Sequence, residues 1–551
     1  MNANIPWNEY PRPRMVRDSY LSLNGEWDFT YAEKAPESFN EKIIVPFPPE
    51  SKLSGIGRAH TDREKLYYKR SFTIPEGFIK SKLILHLGAV DQICDVTVNG
   101  KHIGHGEGGY LPHSFDITDS ATEGENVILI EAVDALSKNY PYGKQKKKRG
   151  GMWYTPISGI WQSVWLESLP EDAILDVRVS SDTEKATVDV TSESDNITLI
   201  IDGAEFTRDG KRFTIIPHEK RLWSPDSPHL YYFKLKTESD EVECYFALRS
   251  IGTGEFNGVK RLTLNGESYL FNGLLDQGYF PDGIYLPEDV NGYEKDILTA
   301  KSLGFNTLRK HIKIEPEIFY HLCDKLGMIV FQDMVNNSDY SFIRDTVLPT
   351  IGMKKFPDKI LHRSKKSREI FIDTMKKTMA HLYSYPSVLY YTIFNEGWGQ
   401  FNADEAYDVA KQIDDTRIID STSGWFWQKK SDVNSHHVYF KKLKASKNAE
   451  RPAVISEFGG YSLRIAGHLF GEKNYGYKTF NSSEEFENAV VDLYESEALP
   501  LVKSHVSALI YTQISDVEDE TNGFMTYDRE VLKINPERII QTFKKMEKSI
   551  K

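Results

Sequence analysis

Apolar and polar residues alternate with period two through the first part of the chain. KLILHLGAV, ICDVTVNGKHIG and NVILIEAV are short, rich in β-branched residues and alternating, the pattern of half-buried strands. Asn99-Gly100 marks a hairpin turn, and Gly or Pro punctuates the runs. Residues 1–170 are therefore expected to form a jelly-roll β-sandwich. Over residues 171–255 the strands shorten to ILDVRVSS, ATVDVTS, ITLIIDG, RFTIIP, YYFKLKT and CYFALRS, which predicts an immunoglobulin-like sandwich. From 256 the period changes. The continuous apolar runs FNGLLD, FNTLRKH, MIVFQDM, VLYYTIFNE, TRIIDST, VNSHHVY, PAVISEF and HVSALIYTQ are mostly separated by helical patterns. Eight strands alternating with helices predict a (β/α)8 TIM barrel over 256–551. A doubly wound open sheet is the alternative, disfavoured because no Gly-rich phosphate turn follows the first strand. The fold class is multidomain, β plus α/β.

Composition narrows the function. The chain has 551 residues and a net charge of −12, which argues against nucleic acid or an anionic membrane as main partner. Mean hydropathy is −0.47, and no apolar run approaches the roughly 18 residues of a membrane span. The opening MNANIPWNEYPRPRM lacks the basic-then-apolar layout of a signal peptide. Cys94, Cys244 and Cys323 are widely spaced and odd in number, so neither a disulfide framework nor a zinc knuckle is expected. Together these features predict a cytoplasmic protein. The basic run Lys144 to Arg149 (KQKKKR) reads as a solvated loop, with a local anion site as the alternative. No HExxH-type motif is present, and His436 and His437 would point to opposite faces of a strand. No metal and no cofactor is expected.

Two acids stand out by position. Glu396 ends the run VLYYTIF, and Glu457 ends PAVIS, the fourth and seventh strands of the predicted barrel. Residues just past strand ends form the active face of such a barrel. Two facing carboxyls suit glycoside hydrolysis, one protonating the leaving oxygen and the other attacking the anomeric carbon. Asn395 is placed to hold the sugar's 2-hydroxyl. Solvated or salt-bridged rim acids remain the alternative reading on spacing alone.

The motifs LNGEWDF, YYKRSFTIP, VNGKHIG, SGIWQSVWLE, FNTLRKH, FNEGW and ISEFGG resemble glycoside hydrolase family 2, the β-galactosidase and β-glucuronidase family, along nearly the whole chain. That resemblance implies the same three-part layout, Glu396 as general acid/base and Glu457 as nucleophile of a retaining double displacement. It also implies that Arg309 braces the nucleophile. In DVNSHHVY it implies that His437 contacts sugar and Tyr439 donates to the nucleophile. Asp333 is a candidate for binding a hydroxyl, with helix capping as the alternative. Of Trp425 and Trp427, one is expected to stack on a sugar face and one to be core.

The chain also departs from the family. Asp276 and Gln277 stand where a basic residue and a histidine are usual, and both are candidate sugar contacts, as is Tyr511. Arg309-Lys310-His311 replaces Arg-x-Ser-His, and Tyr511 replaces a rim tryptophan at the last strand. No Asn-x-Lys carboxylate clamp follows Glu457, and the matching region, SDVEDETNGFMTYDRE, is acidic, which disfavours a uronic acid. The expected substrate is an oligosaccharide or glycoside ending in a neutral sugar, a β-galactoside first and an arabinoside second. An inverting mechanism, a catalytically silent carbohydrate-binding protein and a barrel enzyme using Lys310 as a Schiff base remain as alternatives. The long loop 137–159 is expected either to shape a subsite through Trp153 or Tyr154 or to brace two domains. Self-association is left open.

Overall fold

The computed structural model describes residues 5–353, 357–448 and 450–550. The first four residues of the N-terminal stretch lie outside the described residues. Strands between Tyr20–Ser22 and Val164–Leu169 form a four-stranded, a six-stranded and a two-stranded sheet. Their alternate residues, among them Trp27, Phe29, Leu85, Val96 and Ile130, close one core. Asn99 and Gly100 take positive φ, 49° and 81°, so the chain turns back between Ile93–Val98 and Lys101–Glu107 as the Asn-Gly pair requires. Seven further strands, from Ile174–Ser181 to Glu241–Phe246, make a four-stranded and a three-stranded sheet. The one with no apolar signal in the sequence, Ala204–Asp209, is almost wholly exposed.

Eight parallel strands then form the barrel: β1 (Phe271–Asp276), β2 (Thr307–Lys310), β3 (Ile329–Asp333), β4 (Val388–Asn395), β5 (Ile418–Ser423), β6 (Asn434–Val438), β7 (Ala453–Gly459) and β8 (Val506–Thr512). The ladder runs β5-β4-β3-β2-β1-β8-β7-β6. The two ends of that order meet through hydroxyls, Ser423 Oγ lying 3.3 Å from Ser435 Oγ. Both faces of the strands are buried, which is why they read as unbroken apolar runs. Phe271, Phe331, Tyr390, Val454 and Ile510 fill the interior, and Phe331 stacks on Tyr390 at 4.2 Å. A hairpin, Ile251–Phe256 and Val259–Leu264, plugs the N-terminal end of the barrel. There Leu262 joins the interior core, and Arg261 donates to the Val506 carbonyl. Among the described residues no helix is long and apolar enough to cross a membrane.

The loop 137–159 spans the opposite, C-terminal mouth. On the β3 side it carries Lys138, whose carbonyl accepts from Ser338 N at 2.8 Å, and Tyr142, whose N donates to the Asn336 carbonyl at 3.1 Å. On the β8 side the Tyr154 hydroxyl donates to Glu520 and Thr155 N to Glu518, both at 2.8 Å. Tyr154 is fully buried and acts as the brace, whereas Trp153 leans on Trp398 and Tyr340. The basic run is mostly exposed, as expected, except that Lys144 and Gln145 turn inward.

The segments are also clamped by charge. Arg17 donates to Asp240 at 2.8 and 2.9 Å, to Glu167 at 3.0 Å and to the Ile174 carbonyl at 2.6 Å. Its side chain is 2% exposed. Removing one member of a buried ion pair leaves the other charged and unsolvated. Arg17→Met is expected to cost about 3–5 kcal/mol, read as a lower urea midpoint. An unchanged midpoint would show that the clamp carries no stability.

Candidate active site

Glu396 sits one residue past β4 with φ 54°, a left-handed conformation that costs a residue with a Cβ about 1–3 kcal/mol. Two hydrogen bonds hold it there. Its backbone N donates to the Ser423 carbonyl at 2.9 Å, and its carbonyl accepts from Trp425 Nε1 at 2.8 Å. The backbone is thus fixed from β5, and the carboxyl is aimed across the mouth. Its side chain keeps 17% exposure, and Oε1 lies 2.8 Å from His437 Nδ1. His437 fits because the next strand's loop offers Gly424. A Cβ on Gly424 would stand 2.8 Å from the imidazole ring.

Glu457 arrives by a different device. Along β7, Val454 faces the interior core and Ile455 the helix layer. Ser456 faces in again, its hydroxyl 2.8 Å from Ser423 Oγ. Strict alternation would send Glu457 outward. The pairing of β7 is irregular there, slipping against β6 between His436 and His437 and against β8 between Ile455 and Phe458. Such a bulge re-aims a side chain. Glu457 turns inward, and Phe458 takes the outward place.

The Glu457 carboxylate is held by three groups. Arg309 Nη1 donates to Oε1 at 3.0 Å, the Tyr439 hydroxyl donates to Oε2 at 2.7 Å, and His437 Nε2 stands 3.6 Å from Oε1. Burial alone would raise this carboxyl. The charges of His437, Arg309 and His311 and the Tyr439 hydroxyl outweigh it and bring the pKa down to about 2. Arg309 is itself fixed by Asp333 on Nε at 3.0 Å, by the Ser456 carbonyl on Nη1 at 2.8 Å and by Asn395 Oδ1 on Nη2 at 2.8 Å. With its oxygen so engaged, Asn395 presents its amide N to the pocket. Asp333 also binds His311 Nδ1 at 2.6 Å. Burial holds His311 down at about 4, against the pull of Asp333, so its ring is neutral at pH 7.

Ligand atoms of Glu396, His437 and Glu457 lie within 4.8 Å of one another. The two acids therefore face each other across a gap that fits a sugar carbon. The same three groups have the donor chemistry of a cation site, but the Arg309 guanidinium already balances Glu457 at 3.0 Å, which disfavours a divalent ion there.

Glu396, Glu457, Asn395, Arg309, His437 and Tyr439 thus come together at the mouth. Other expected contacts are corrected. Asp333 has its two oxygens on Arg309 and His311 and is 1% exposed, so it positions cations rather than binding a hydroxyl. Asp276 is closed in the same way, by Gly278 N at 2.8 Å and Lys310 Nζ at 2.6 Å. Lys310 is tied to Asp276 and Glu315 and its pKa is raised despite burial, which removes it as a Schiff-base nucleophile. Tyr511 points outward into the core against Phe458, Tyr494 and Phe524. Its neighbour Thr512 faces the site, 2.8 Å from the Tyr439 hydroxyl, so the expected rim position is off by one residue. Trp425 is buried and braces Glu396, and Trp427 donates to the Ser435 carbonyl beside His436. Trp425 is the core member of the pair, and Trp427 keeps partial exposure. Gln277 is buried with its side-chain oxygen unpartnered among the described residues. Sequence reasoning missed His311, Thr512, Tyr477, which stacks on Tyr439 at 4.0 Å, and Glu520. His311 lay in the quoted FNTLRKH motif, Thr512 in HVSALIYTQ and Glu520 in the acidic stretch SDVEDETNGFMTYDRE, but none was singled out as a site residue.

Comparison with known proteins follows the same outline. Residues 56–161 match the glycosyl hydrolase 2 galactose-binding domain-like family, 157–249 the glycosyl hydrolases family 2, and 260–532 the glycosyl hydrolases family 2 TIM barrel domain. A β-galactosidase of Thermoanaerobacter pseudethanolicus is 26% identical over 367 residues, which cover 61% of this chain and 46% of that protein. One of Leuconostoc mesenteroides is 22% identical over 601 residues, covering 95% and 55%. The chain spans about half the length of the curated relatives it matches. Among solved structures, a β-D-glucuronidase of Dictyoglomus thermophilum superposes with a TM-score of 0.74 at 17% identity, over 98% of each chain. A β-galacturonidase of Eisenbergiella tayi bound to galacturonate gives 0.68 at 18%, over 98% and 99%.

Glu457 is depressed from 4.5 to about 2 in the folded chain. The stability it contributes is therefore present above pH 4.5 and lost as pH falls towards 2. Tyr439→Phe removes one donor and keeps the ring stacked on Tyr477. The acid limb of kcat/KM is expected to move to higher pH. A limb that stays in place would show that the hydroxyl does not act on this carboxyl.

Proposed function

The chain belongs to glycoside hydrolase family 2, and from that premise we propose that it is a retaining, exo-acting β-glycosidase. The observation that carries the reading is the pair Glu396 and Glu457, with carboxyl oxygens within 4.8 Å and unequal surroundings. A separation of about 5–5.5 Å suits a covalent double displacement, whereas inversion needs about 6.5–9.5 Å to admit a water. Glu457, held ionised by Arg309, attacks the anomeric carbon. Glu396, partly open to solvent and in contact with His437, protonates the leaving oxygen and then deprotonates the water that releases the sugar. The amide N of Asn395 meets the 2-hydroxyl.

A neutral sugar, galactose first, fits the pocket wall after β8. That wall carries Glu520, which is buried and feels the Glu457 charge, and a sugar carboxylate would add a further acid beside them. The β-galactosidase names of the curated relatives support the same choice.

Glu457→Gln should end turnover with every nitrophenyl glycoside that the native chain accepts. Glu396→Gln should slow poor leaving groups by about 10²–10⁴-fold and activated aryl groups much less, because only the former need the proton. Near-native rates in both variants would contradict the assignment. The first sugar released should keep the β configuration by NMR, and an α product would mean inversion.

A further inference from the structure

The two-glutamate mechanism leaves one side of the pocket unexplained. Glu520 is 5% exposed. Its Oε2 accepts from the Tyr154 hydroxyl at 2.8 Å and from Gln513 Nε2 at 3.0 Å. Its Oε1 has no partner among the described residues and keeps some accessible surface. Gln513 follows Thr512, whose hydroxyl lies 2.8 Å from that of Tyr439, the donor to Glu457, so Glu520 stands on the nucleophile's side of the mouth.

Lys144 is the cation whose charge reaches it. In the same basic run, Lys147 pairs with Asp62, Arg149 with Glu518 and Asp519, and Lys146 lies over the Trp153 ring. Lys144 is half-buried, and its side chain makes no hydrogen bond or ion pair among the described residues. Its charge reaches Glu520 and His311. The loop fixes it there. Gly143 has φ 64°, and a Cβ on it would lie 2.7 Å from the Tyr110 hydroxyl and 3.0 Å from the Ile312 carbonyl. Only a glycine lets the chain pass so close to the residue after His311. One position on, the Lys144 carbonyl accepts from Tyr154 N at 3.0 Å. The backbone on both sides of Lys144 is therefore anchored, and only its side chain is uncommitted.

An ammonium and a carboxyl oxygen that have no protein partner and still reach the mouth are free to bind a ligand's polar groups in place of water. Resting on the glycosidase reading above, we infer that Lys144 and Glu520 are specificity-determining residues that grip the edge of a neutral sugar remote from its 2-hydroxyl. Lys144 donates to one ring hydroxyl and Glu520 Oε1 accepts from its neighbour. A donor and an acceptor side by side match vicinal hydroxyls. Burial raises the Glu520 carboxyl to about 7 despite Lys144.

The test uses 4-nitrophenyl β-galactoside, its 3-, 4- and 6-deoxy analogues and the β-glucuronide, with the native chain, Lys144→Met and Glu520→Gln. Native kcat/KM should fall about 10–100-fold for at least one deoxy analogue, the worth of a hydrogen bond to a charged group. Each variant should lose a similar factor on the parent galactoside. The penalty for that one analogue should then shrink to within about threefold, as a double-mutant cycle requires of interacting partners. A purely structural role would lower all rates and leave the penalties intact, and that pattern in an active native chain overturns the inference alone. Preferred turnover of the glucuronide, lost in Lys144→Met, would reassign Lys144 to a carboxylate and overturn the neutral-sugar form. A native chain that turns over none of the panel overturns the glycosidase reading and the inference with it.

Discussion

One buried guanidinium organises the site. Arg309 is fully enclosed at the end of β2, yet it touches the ends of β3, β4 and β7 through Asp333, Asn395 and Glu457. An isolated cation in that position would cost several kcal/mol in lost hydration. Two carboxylates and two polar oxygens offset the cost, and in return the cation keeps Glu457 ionised at a depth where a carboxyl alone would be neutral. The barrel supplies what this fork needs, which is strand ends held in fixed register. The arrangement is rigid because each partner of Arg309 is itself anchored, Asp333 by His311 and Asn395 by its place at the end of β4.

The two acids reach the mouth by separate distortions of regular structure. Glu396 uses a left-handed residue pinned to β5, and Glu457 uses a bulge in β7. Neither conformation is favoured locally. Strain of this kind persists where surrounding structure over-determines it, here through Trp425, Ser423, Tyr439 and Arg309. The asymmetry between the acids follows. One is wrapped by donors and stays ionised, and the other keeps contact with solvent and with His437.

Much of this was legible in the chain. The period-two runs, the Asn-Gly turn and the eight apolar strands mark the three layers, because burial on one face or two writes directly into hydrophobic spacing. Strand ends gave Glu396 and Glu457, and motif likeness gave Arg309, His437 and Tyr439. What failed was side-chain direction at irregular positions. Tyr511 was expected at the rim, but the parity of β8 sends it into the helix layer and leaves Thr512 at the site. Asp276 and Asp333 were expected to meet sugar, but each is neutralised by a cation whose approach no sequence pattern reveals. Lys144 and Glu520 lie on different segments of the chain, and only the path of loop 137–159 over the mouth brings them near Glu457.

The central claim is that Glu457, and no other group, forms a covalent bond to the sugar. The direct test is to incubate the chain with a 2-deoxy-2-fluoro-β-galactoside bearing an activated leaving group, and to map the adduct by peptide mass spectrometry. The account predicts a single fluorosugar on Glu457, absent in Glu457→Gln. An adduct on Glu396, or turnover of β-galactosides with no adduct on Glu457, would contradict it.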